Sequence, residues 1–435
     1  MLADSDTRWK WGALTARRLT TGASSGPVRR TDISGLLLRG RATPTPRQLA
    51  EVGDVGIDTD RVREVTAVEF LHTVRDEGYD VVVLALVGGA VQAMLHGLAA
   101  LQLPARPVVV TGYVGVVYEK LADGLLLRHG ADVVLANSRH DAERFRAVYE
   151  GVGADASAVT EAALPFLGGA PHRPQKGRDT VVFAAQPSVP ASRADRTYLL
   201  RRLVEHARLH PDREVLLKLR SKPGEHTTHI EELPYQRLAE RLPGGLPPNF
   251  RLVYGHMGEV LDRTDLLVTV SSTAALESLH RRIPTAILSD LGVREALGNH
   301  HFIGSGLLTS WDHLDGGHRP EPDSEWLAGQ GVAADGTYAT AYDHARARVD
   351  ALLATARLPD LAPYYTSATA PGYLPGILAR HHLAPDGHPL PGAAAPRETG
   401  GVRGAVRDAV REAARGAYRQ GVQRVAPVIR RMGEL

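Results

Sequence analysis

A chain of 435 residues, 43% hydrophobic and 23% charged, carries enough apolar material for two ordinary cores, which excludes a single small module and a disordered chain. Its 51 basic and 49 acidic side chains leave a net charge of +2, so no global positive field exists for gripping nucleic acid. With no cysteine, there is no disulfide framework and no thiolate-held zinc or iron–sulfur centre, and cytoplasmic residence fits.

The opening MLADSDTRWK has two aspartates and no apolar run, so a cleaved secretory signal is not expected. The longest apolar stretch, Val81 to Leu95, is broken by Gly88, Gly89 and Gln92 and is shorter than the roughly 20 residues a membrane helix needs. Of the 51 basic residues, only five are lysine: Lys10, Lys120, Lys176, Lys218 and Lys222. In so arginine-biased a chain, a lysine marks a place where a compact ammonium serves better than a planar fork, and Lys218 and Lys222 are the foremost candidates.

In chain order, Met1 to Ala3 reads as the end of a first strand, with Ser5 or Asp6 capping a helix over Thr7 to Leu19. Strands come next at Ile33 to Leu38, Asp80 to Leu86, Pro107 to Thr111 and Asp132 to Ala136. Between them lie helical patterns at Val65 to Arg75, Val91 to Leu101, Val117 to Arg128 and Arg139 to Tyr149. Alternation of this kind predicts a parallel sheet wrapped by helices. The aperiodic LPFLGGAPHRPQKGRD, from Leu164 to Asp179, marks a domain junction.

A second series then begins. Strands are predicted at Thr180 to Ala184, Glu214 to Leu219, Phe250 to Val253, Leu266 to Val270 and Thr285 to Leu288, with helices at Arg193 to Leu209, Met257 to Asp262 and Thr273 to His280. The fold class is therefore α/β, with two Rossmann-like doubly wound domains whose strand ends face a cleft, where open sheets bind ligands. We assign residues 1–165 to a first Rossmann-like domain, 178–355 to a second, 356–384 to a helical return segment and 385–401 to a linker. Residues 402–435 carry eight arginines and three acids, a local charge of +5. Their arginines run beside Val402, Val406, Val410, Ala414 and Tyr418, the pattern of a basic amphipathic helix suited either to an anionic membrane surface or to docking on its own protein.

The densest chemical signal is LLVTVSSTAALESLHRRIPTAIL, residues 266–288. A buried strand ends at Val270, Ser271 and Ser272 turn, and a helix opens near Thr273. First-turn amides joined by the hydroxyls of Ser271, Ser272 and Thr273 make an anion site for a phosphate, and Glu277, one turn on, is placed to accept ribose hydroxyls. At the amino terminus, Asp4 and Asp6 are alternative general bases for an acceptor hydroxyl, each equally readable as a helix cap, with Lys10 one turn beyond Asp6 to pair with it or meet an anionic substrate.

The segment around Ser271, Ser272, Glu277 and Pro284, with the preceding YGHMGEVLDRTDLLVTVSS, resembles the carboxyl-terminal domain of GT-B glycosyltransferases, particularly the bacterial sialyltransferase and polysialyltransferase type and the CDP-glycerol glycerophosphotransferases. That resemblance implies that these residues hold a nucleotide, with His256 and Met257 near the base or phosphate, which makes 178–355 the nucleotide-donor domain and 1–165 the acceptor domain. It also implies a K-x-H-P element, which VLLKLRSKPGEH matches at Lys218. Arg220 stands where histidine belongs and Pro223 comes late. Lys218, Arg220 and Lys222, alternating along an extended segment, suit a leaving phosphate or diphosphate, with His226 or His229 to supply a proton.

Lesser features lie elsewhere. Gly88 and Gly89 come after a strand as a sugar or phosphate loop or a tight turn. Tyr113, Gly115 and Glu119 border the acceptor, and Asn137 and Ser138 suit a helix cap. Asn299, His300 and His301 lie in a glycine-hinged loop suited to closing over a donor. No metal-ligand spacing, Walker loop or dinucleotide fingerprint is present, so neither metal nor cofactor is expected. The expected function is an inverting, metal-independent transferase using a nucleotide-activated sugar, with a CMP-linked nonulosonic acid favoured. It would act on a glycan or lipid-linked acceptor of bacterial surface polysaccharide or glycolipid synthesis, in the cytoplasm or at the inner face of the membrane. The rivals are a glycerophosphotransferase, a sugar-nucleotide 2-epimerase and a catalytically silent assembly protein.

Overall fold

The computed structural model describes residues 1–21, 31–40, 42–53, 55–57, 62–115, 120–175, 177, 179–220, 222, 233–332 and 337–392. The chain divides into two units, Met1–Phe166 joined by residues 328–392, and Leu167–Leu327. The junction thus falls at Phe166, at the start of the aperiodic stretch. The return to unit 1 comes at Ala328 rather than near residue 356, so the segment between belongs to unit 1 and not to the second Rossmann-like unit. The basic tail at 402–435 lies outside the described residues.

In unit 1 the order is β1 (Leu2–Ala3), α1 (Asp6–Thr20), β2 (Leu36–Leu38), α2 (Pro46–Val52), β3 (Arg63–Val65), α3 (Ala67–Glu77), β4 (Val81–Ala85), α4 (Gly88–Ala100), β5 (Val108–Gly112), α5 (Leu121–Leu126), β6 (Val133–Ala136), α6 (Arg139–Gly151) and β7 (Val159–Glu161). Starts are set locally. The hydroxyl of Ser5 accepts the Arg8 amide at the head of α1, Thr66 and Glu69 form a reciprocal capping box on α3, and Ser138 caps α6. The seven strands are all parallel, in the order β3-β2-β1-β4-β5-β6-β7. Leu2 pairs with both Leu36 and Leu84, which places the two-residue β1 inside the sheet.

Unit 2 repeats the plan with β8 (Thr180–Ala184), α7 (Arg193–Leu209), β9 (Glu214–Lys218), α8 (Tyr235–Glu240), β10 (Phe250–Val253), α9 (Met257–Leu261), β11 (Leu266–Thr269), α10 (Ala274–His280), β12 (Thr285–Leu288), β13 (Leu308–Thr309), α11 (Trp311–Asp315) and α12 (Ser324–Gly329). Its six parallel strands run β10-β9-β8-β11-β12-β13. Apolar runs such as TVVFA and LLVT are buried along their whole length, as a sheet covered on both faces requires. Back in unit 1, α13 (Asp343–Leu353) packs against α1 and the β6 and β7 strands, and α14 (Leu374–Ala379) lies on α4.

Three strands escaped the sequence reading for identifiable reasons. β3 is a charged edge whose Arg63 and Glu64 are exposed, β7 holds two polar residues of its three, and β13 has only two residues. α5 begins at Leu121, after Lys120 takes a left-handed conformation; of the helix expected from Val117 to Arg128, residues 117–119 lie outside the described residues.

Candidate functional site

In a doubly wound sheet, ligands bind beyond the carboxyl ends of the strands where the order reverses. Unit 2 reverses between β8 and β11. Register aligns Val253, Lys218, Ala184 and Thr269 across its four neighbouring strands, so the loops that leave these four residues emerge at one edge. Lys218, His256 and the Ser271–Glu277 turn, chosen from separate stretches of sequence, therefore share the carboxyl edge of one sheet.

The switch point itself is tied by Gln186, just beyond β8. Its Oε1 accepts the backbone N–H of Ser271 (3.0 Å) and lies 3.2 Å from the same residue's hydroxyl oxygen. Ser271 is fully enclosed, and its hydroxyl also lies 2.6 Å from the Leu297 carbonyl, to which it donates. The expectation that this hydroxyl meets a phosphate is thereby corrected: Ser271 fastens the turn.

The amides of the turn are likewise largely committed. Ser272 N–H donates to Thr269 Oγ1 (3.2 Å), Ala274 N–H to Ser272 Oγ (3.3 Å), Ala275 N–H to the Ser272 carbonyl (3.0 Å) and Leu276 N–H to the Thr273 carbonyl (3.0 Å). A serine in a tight turn satisfies nearby amides before any ligand does, which is why a free-amide cradle does not form. Thr273 is already helical at φ −56° and ψ −21° and makes no side-chain cap. Ser272 and Thr273 remain half-exposed, whereas Glu277 is buried at 8% exposure.

The basic residues are more dispersed than an alternating strand would make them. β9 ends at Lys218, which is buried and donates from Nζ to the Leu219 carbonyl (2.7 Å). Arg220 is half-buried, and exposed Lys222 lies 6.0 Å from the Tyr254 ring, at the limit of a cation–π contact. His226 and His229 lie outside the described residues. Half-buried His256 opens α9 without capping it, and Met257 begins that helix.

The supposed closing loop is pinned down. Asn299 is wholly buried, donates from Nδ2 to the carbonyls of Leu288 (3.0 Å) and Gly292 (2.9 Å), and accepts the Arg294 amide (3.0 Å). Asn299–Phe302 is a 3-10 turn in which the His301 ring packs against Phe302 and Trp326. This correction comes from the asparagine amide, which satisfies three backbone groups at once and fixes the segment.

Unit 1 has its own reversal, between β1 and β4. Asp4 stands there, buried, with Oδ2 accepting the Val87 amide (3.0 Å) and Oδ1 accepting Arg8 Nε in a close ion pair. Both oxygens of this candidate base are thus engaged. Asp6 opens α1, half-exposed, and accepts the Thr7 hydroxyl (3.3 Å). Lys10 Nζ lies over the Phe166 ring, 4.7 Å from its centroid.

Gly88 and Gly89 start α4, and Tyr113 lies beneath the Arg128 guanidinium at 3.9 Å from the ring centroid. Asn137 does not cap a helix; its Nδ2 holds the carbonyls of Tyr113 (2.8 Å) and Gly115 (3.0 Å), and Ser138 alone caps α6. Glu119 is outside the described residues. Sequence reasoning passed over Gln186 and His381. Burial pushes the His381 imidazole below its ordinary pKa while the Asp4 carboxylate pulls it upward, and His382 and Arg380 add to the depression.

Among the described residues, His206, His210 and Asp315 bring three donor atoms within 4.8 Å of one another. Their surroundings do not suit a cation. Arg213 Nη1 lies 3.0 Å from His206 Nε2, Arg202 Nη2 lies 3.0 Å from Asp315 Oδ2, and Asp315 Oδ1 is 2.6 Å from His206 Nδ1. A neutral imidazole with Nδ1–H towards Asp315 and Nε2 accepting from Arg213 satisfies both ring nitrogens. Arg213 is held by Asp179, just ahead of β8 and β9, so this network lies at the amino edge of the sheet, away from the switch point.

A family profile described as "Putative glycosyltransferase (DUF6716)" matches residues 1–352. The chain belongs to this family. No curated protein matches it in sequence. Among solved structures, the chain is similar to the Staphylococcus aureus MnaA–UDP co-structure at TM-score 0.53 and 11% identity, covering 83% of this chain and 98% of that one. A UDP-N-acetylglucosamine 2-epimerase of Listeria monocytogenes, described as such provisionally, gives 0.52 and 13% over the same shares, 83% and 98%. The Neisseria meningitidis UDP-GlcNAc 2-epimerase bound to UDP-GlcNAc gives 0.51 and 10% over 81% and 98%. These likenesses support the GT-B-like fold of two Rossmann-like units. Among the described residues, no helix is long and apolar enough to cross a membrane.

Proposed function

We propose that the chain is a glycosyltransferase whose nucleotide-sugar donor binds at the carboxyl edge of the unit 2 sheet. The carrying observation is that Lys218 at the end of β9, His256 after β10 and the Ser272–Glu277 turn after β11 share that edge around the β8/β11 reversal, in a chain of a glycosyltransferase family. In this reading Lys218 and Arg220 balance the charge of the leaving phosphate, Ser272 and Thr273 supply hydroxyls to it, Glu277 takes the ribose, and Lys222, His256 and Met257 border the nucleotide. Of the two aspartates proposed as base, Asp6 is half-exposed and Asp4 is buried, so Asp6 is the more accessible to an acceptor.

The preference for a CMP-linked donor comes from the serine pair together with the imperfect K-x-H-P element, and Ser271 spends its hydroxyl within the protein. Uridine nucleotides are bound in two of the similar structures, and we take a UDP-sugar as the first donor to test. Metal independence, a glycan or lipid-linked acceptor, a role in bacterial surface polysaccharide synthesis and contact of the +5 tail with the inner membrane face remain part of this proposal.

The 2-epimerase likenesses favour one alternative. Incubating the full chain with UDP-N-acetylglucosamine and following products by NMR separates the two. A transferase releases UDP, slowly to water and faster when an acceptor is supplied. Equilibration to the 2-epimer with no acceptor and no UDP formed would replace the transferase by the epimerase.

A further inference from the structure

The return segment of unit 1 brings an aromatic and acidic set to a place the transferase reading does not use. Tyr364, Tyr365 and Tyr373 pack in series edge to face, with ring centroids 5.3 and 5.2 Å apart. The phenols of Tyr365 and Tyr373 converge on Asp123 of α5: Tyr365 donates to Oδ1 at 3.1 Å, and Tyr373 lies 3.3 Å from both oxygens. Tyr373 keeps 42% of its surface exposed, a large apolar face left in water. The seat is rigid, because Gln92 and His96, one turn apart on α4, both hold the Tyr365 carbonyl, at 3.2 and 2.9 Å.

Its position is fixed by α14. Tyr373 stands one turn before Ile377, and a Cβ built on Gly89 would lie 3.8 Å from Ile377 Cγ2. Gly89 comes two residues after Val87, whose amide Asp4 holds, so the tyrosines border the β1/β4 reversal of unit 1. A ring face beside a carboxylate that has four lone-pair sites and receives two phenols offers apolar contact together with hydroxyl acceptors. Each phenol oxygen, having donated, can still accept. Those are the needs of a sugar ring, apolar across its C–H face and studded with hydroxyl donors. At Tyr373 the charge of the Asp123 carboxylate outweighs that of Arg380, which opposes it, so the two partly offset each other.

We propose that Tyr373, Tyr365 and Asp123 form a pyranose-binding subsite for the acceptor, with the sugar face on Tyr373 and its hydroxyls on Asp123 and the phenols. The proposal rests on the transferase reading for its role as an acceptor site, and its binding test stands apart from the donor. Saturation-transfer NMR on the full chain, with the methyl glycosides of glucose, galactose, mannose and N-acetylglucosamine each at millimolar concentration, is the measurement. At least one glycoside should receive saturation, strongest at the protons of one ring face. Its affinity should fall about tenfold in Tyr373→Ala and in Asp123→Asn, but less in Tyr373→Phe, which keeps the ring. Tyr373 is exposed, so its variants fold even if Asp123→Asn does not. No transfer to any of the four, transfer unchanged in Tyr373→Ala, or tighter binding of choline than of any glycoside overturns the subsite. UDP titrated into the same samples reports separately: UDP bound without glycoside removes the subsite alone, and glycoside bound without UDP removes the donor assignment alone.

Discussion

Ser271 and Ser272 are adjacent and chemically identical, yet the turn divides them, one sealed against the Leu297 carbonyl and the other half-exposed. Ser271→Ala strands the buried Leu297 carbonyl while its backbone N–H still holds Gln186, and is expected to cost about 1–2 kcal/mol in urea denaturation while leaving nucleotide affinity within about twofold. Ser272→Ala should do the reverse, with small loss of stability and weaker nucleotide binding; a destabilised but tight-binding Ser272→Ala would contradict the division. Asp4→Ala removes a buried acceptor from both Arg8 and the Val87 amide and should cost about 2–3 kcal/mol by the same measurement, whereas Asp6→Ala should cost under about 1 kcal/mol. The residue types at the strand ends were legible in the sequence. Which of them the fold would use for its own hydrogen bonds was not, because Gln186 and Leu297 reach Ser271 from far along the chain.

At the level of elements, the long buried strands and amphipathic helices could be read directly, since hydrophobic periodicity declares them. β1 was legible for a different reason, a helix cap immediately after it. The short strands β3, β7 and β13 carry too few apolar residues to signal, and tertiary pairing alone makes them strands. The start of α4 gives an element-scale test. An alanine Cβ at Gly88 would meet Leu127 Cδ1 at 2.9 Å and Cβ at 3.2 Å, whereas at Gly89 it meets only Ile377 at ordinary contact distance. Gly89→Ala should be neutral or stabilising by up to about 1 kcal/mol, and Gly88→Ala should be destabilising. Equal melting temperatures for the two variants would show that Leu127 does not crowd the helix start as described.

For the molecule as a whole, the two-unit plan was evident from two alternating series separated by one aperiodic stretch. The early return at Ala328 was not, because a helix that closes unit 1 looks in sequence like a continuation of unit 2. Global stability should carry the signature of buried His206. Burial depresses its pKa to about 4, against the opposing pull of Asp315, so the native imidazole stays neutral where the unfolded one, near 6.5, takes a proton. The unfolded chain therefore binds more protons between those values. This contribution is complete above about pH 6.5 and is lost as pH falls towards about 4. Melting temperature should drop across that window and less steeply in His206→Gln; identical slopes would assign the acid sensitivity to other groups.

A nucleotide held at the carboxyl edge of the unit 2 sheet is the claim on which the proposed function depends, and calorimetric titration of the full chain with UDP, CMP and CDP tests it most directly. UDP should bind with measurable heat and more tightly than the cytidine nucleotides, and Glu277→Gln should weaken it about tenfold without changing the melting temperature by more than a few degrees. No heat with any of the three nucleotides, or UDP affinity unchanged in both Glu277→Gln and Ser272→Ala, would contradict the donor site and with it the transferase reading.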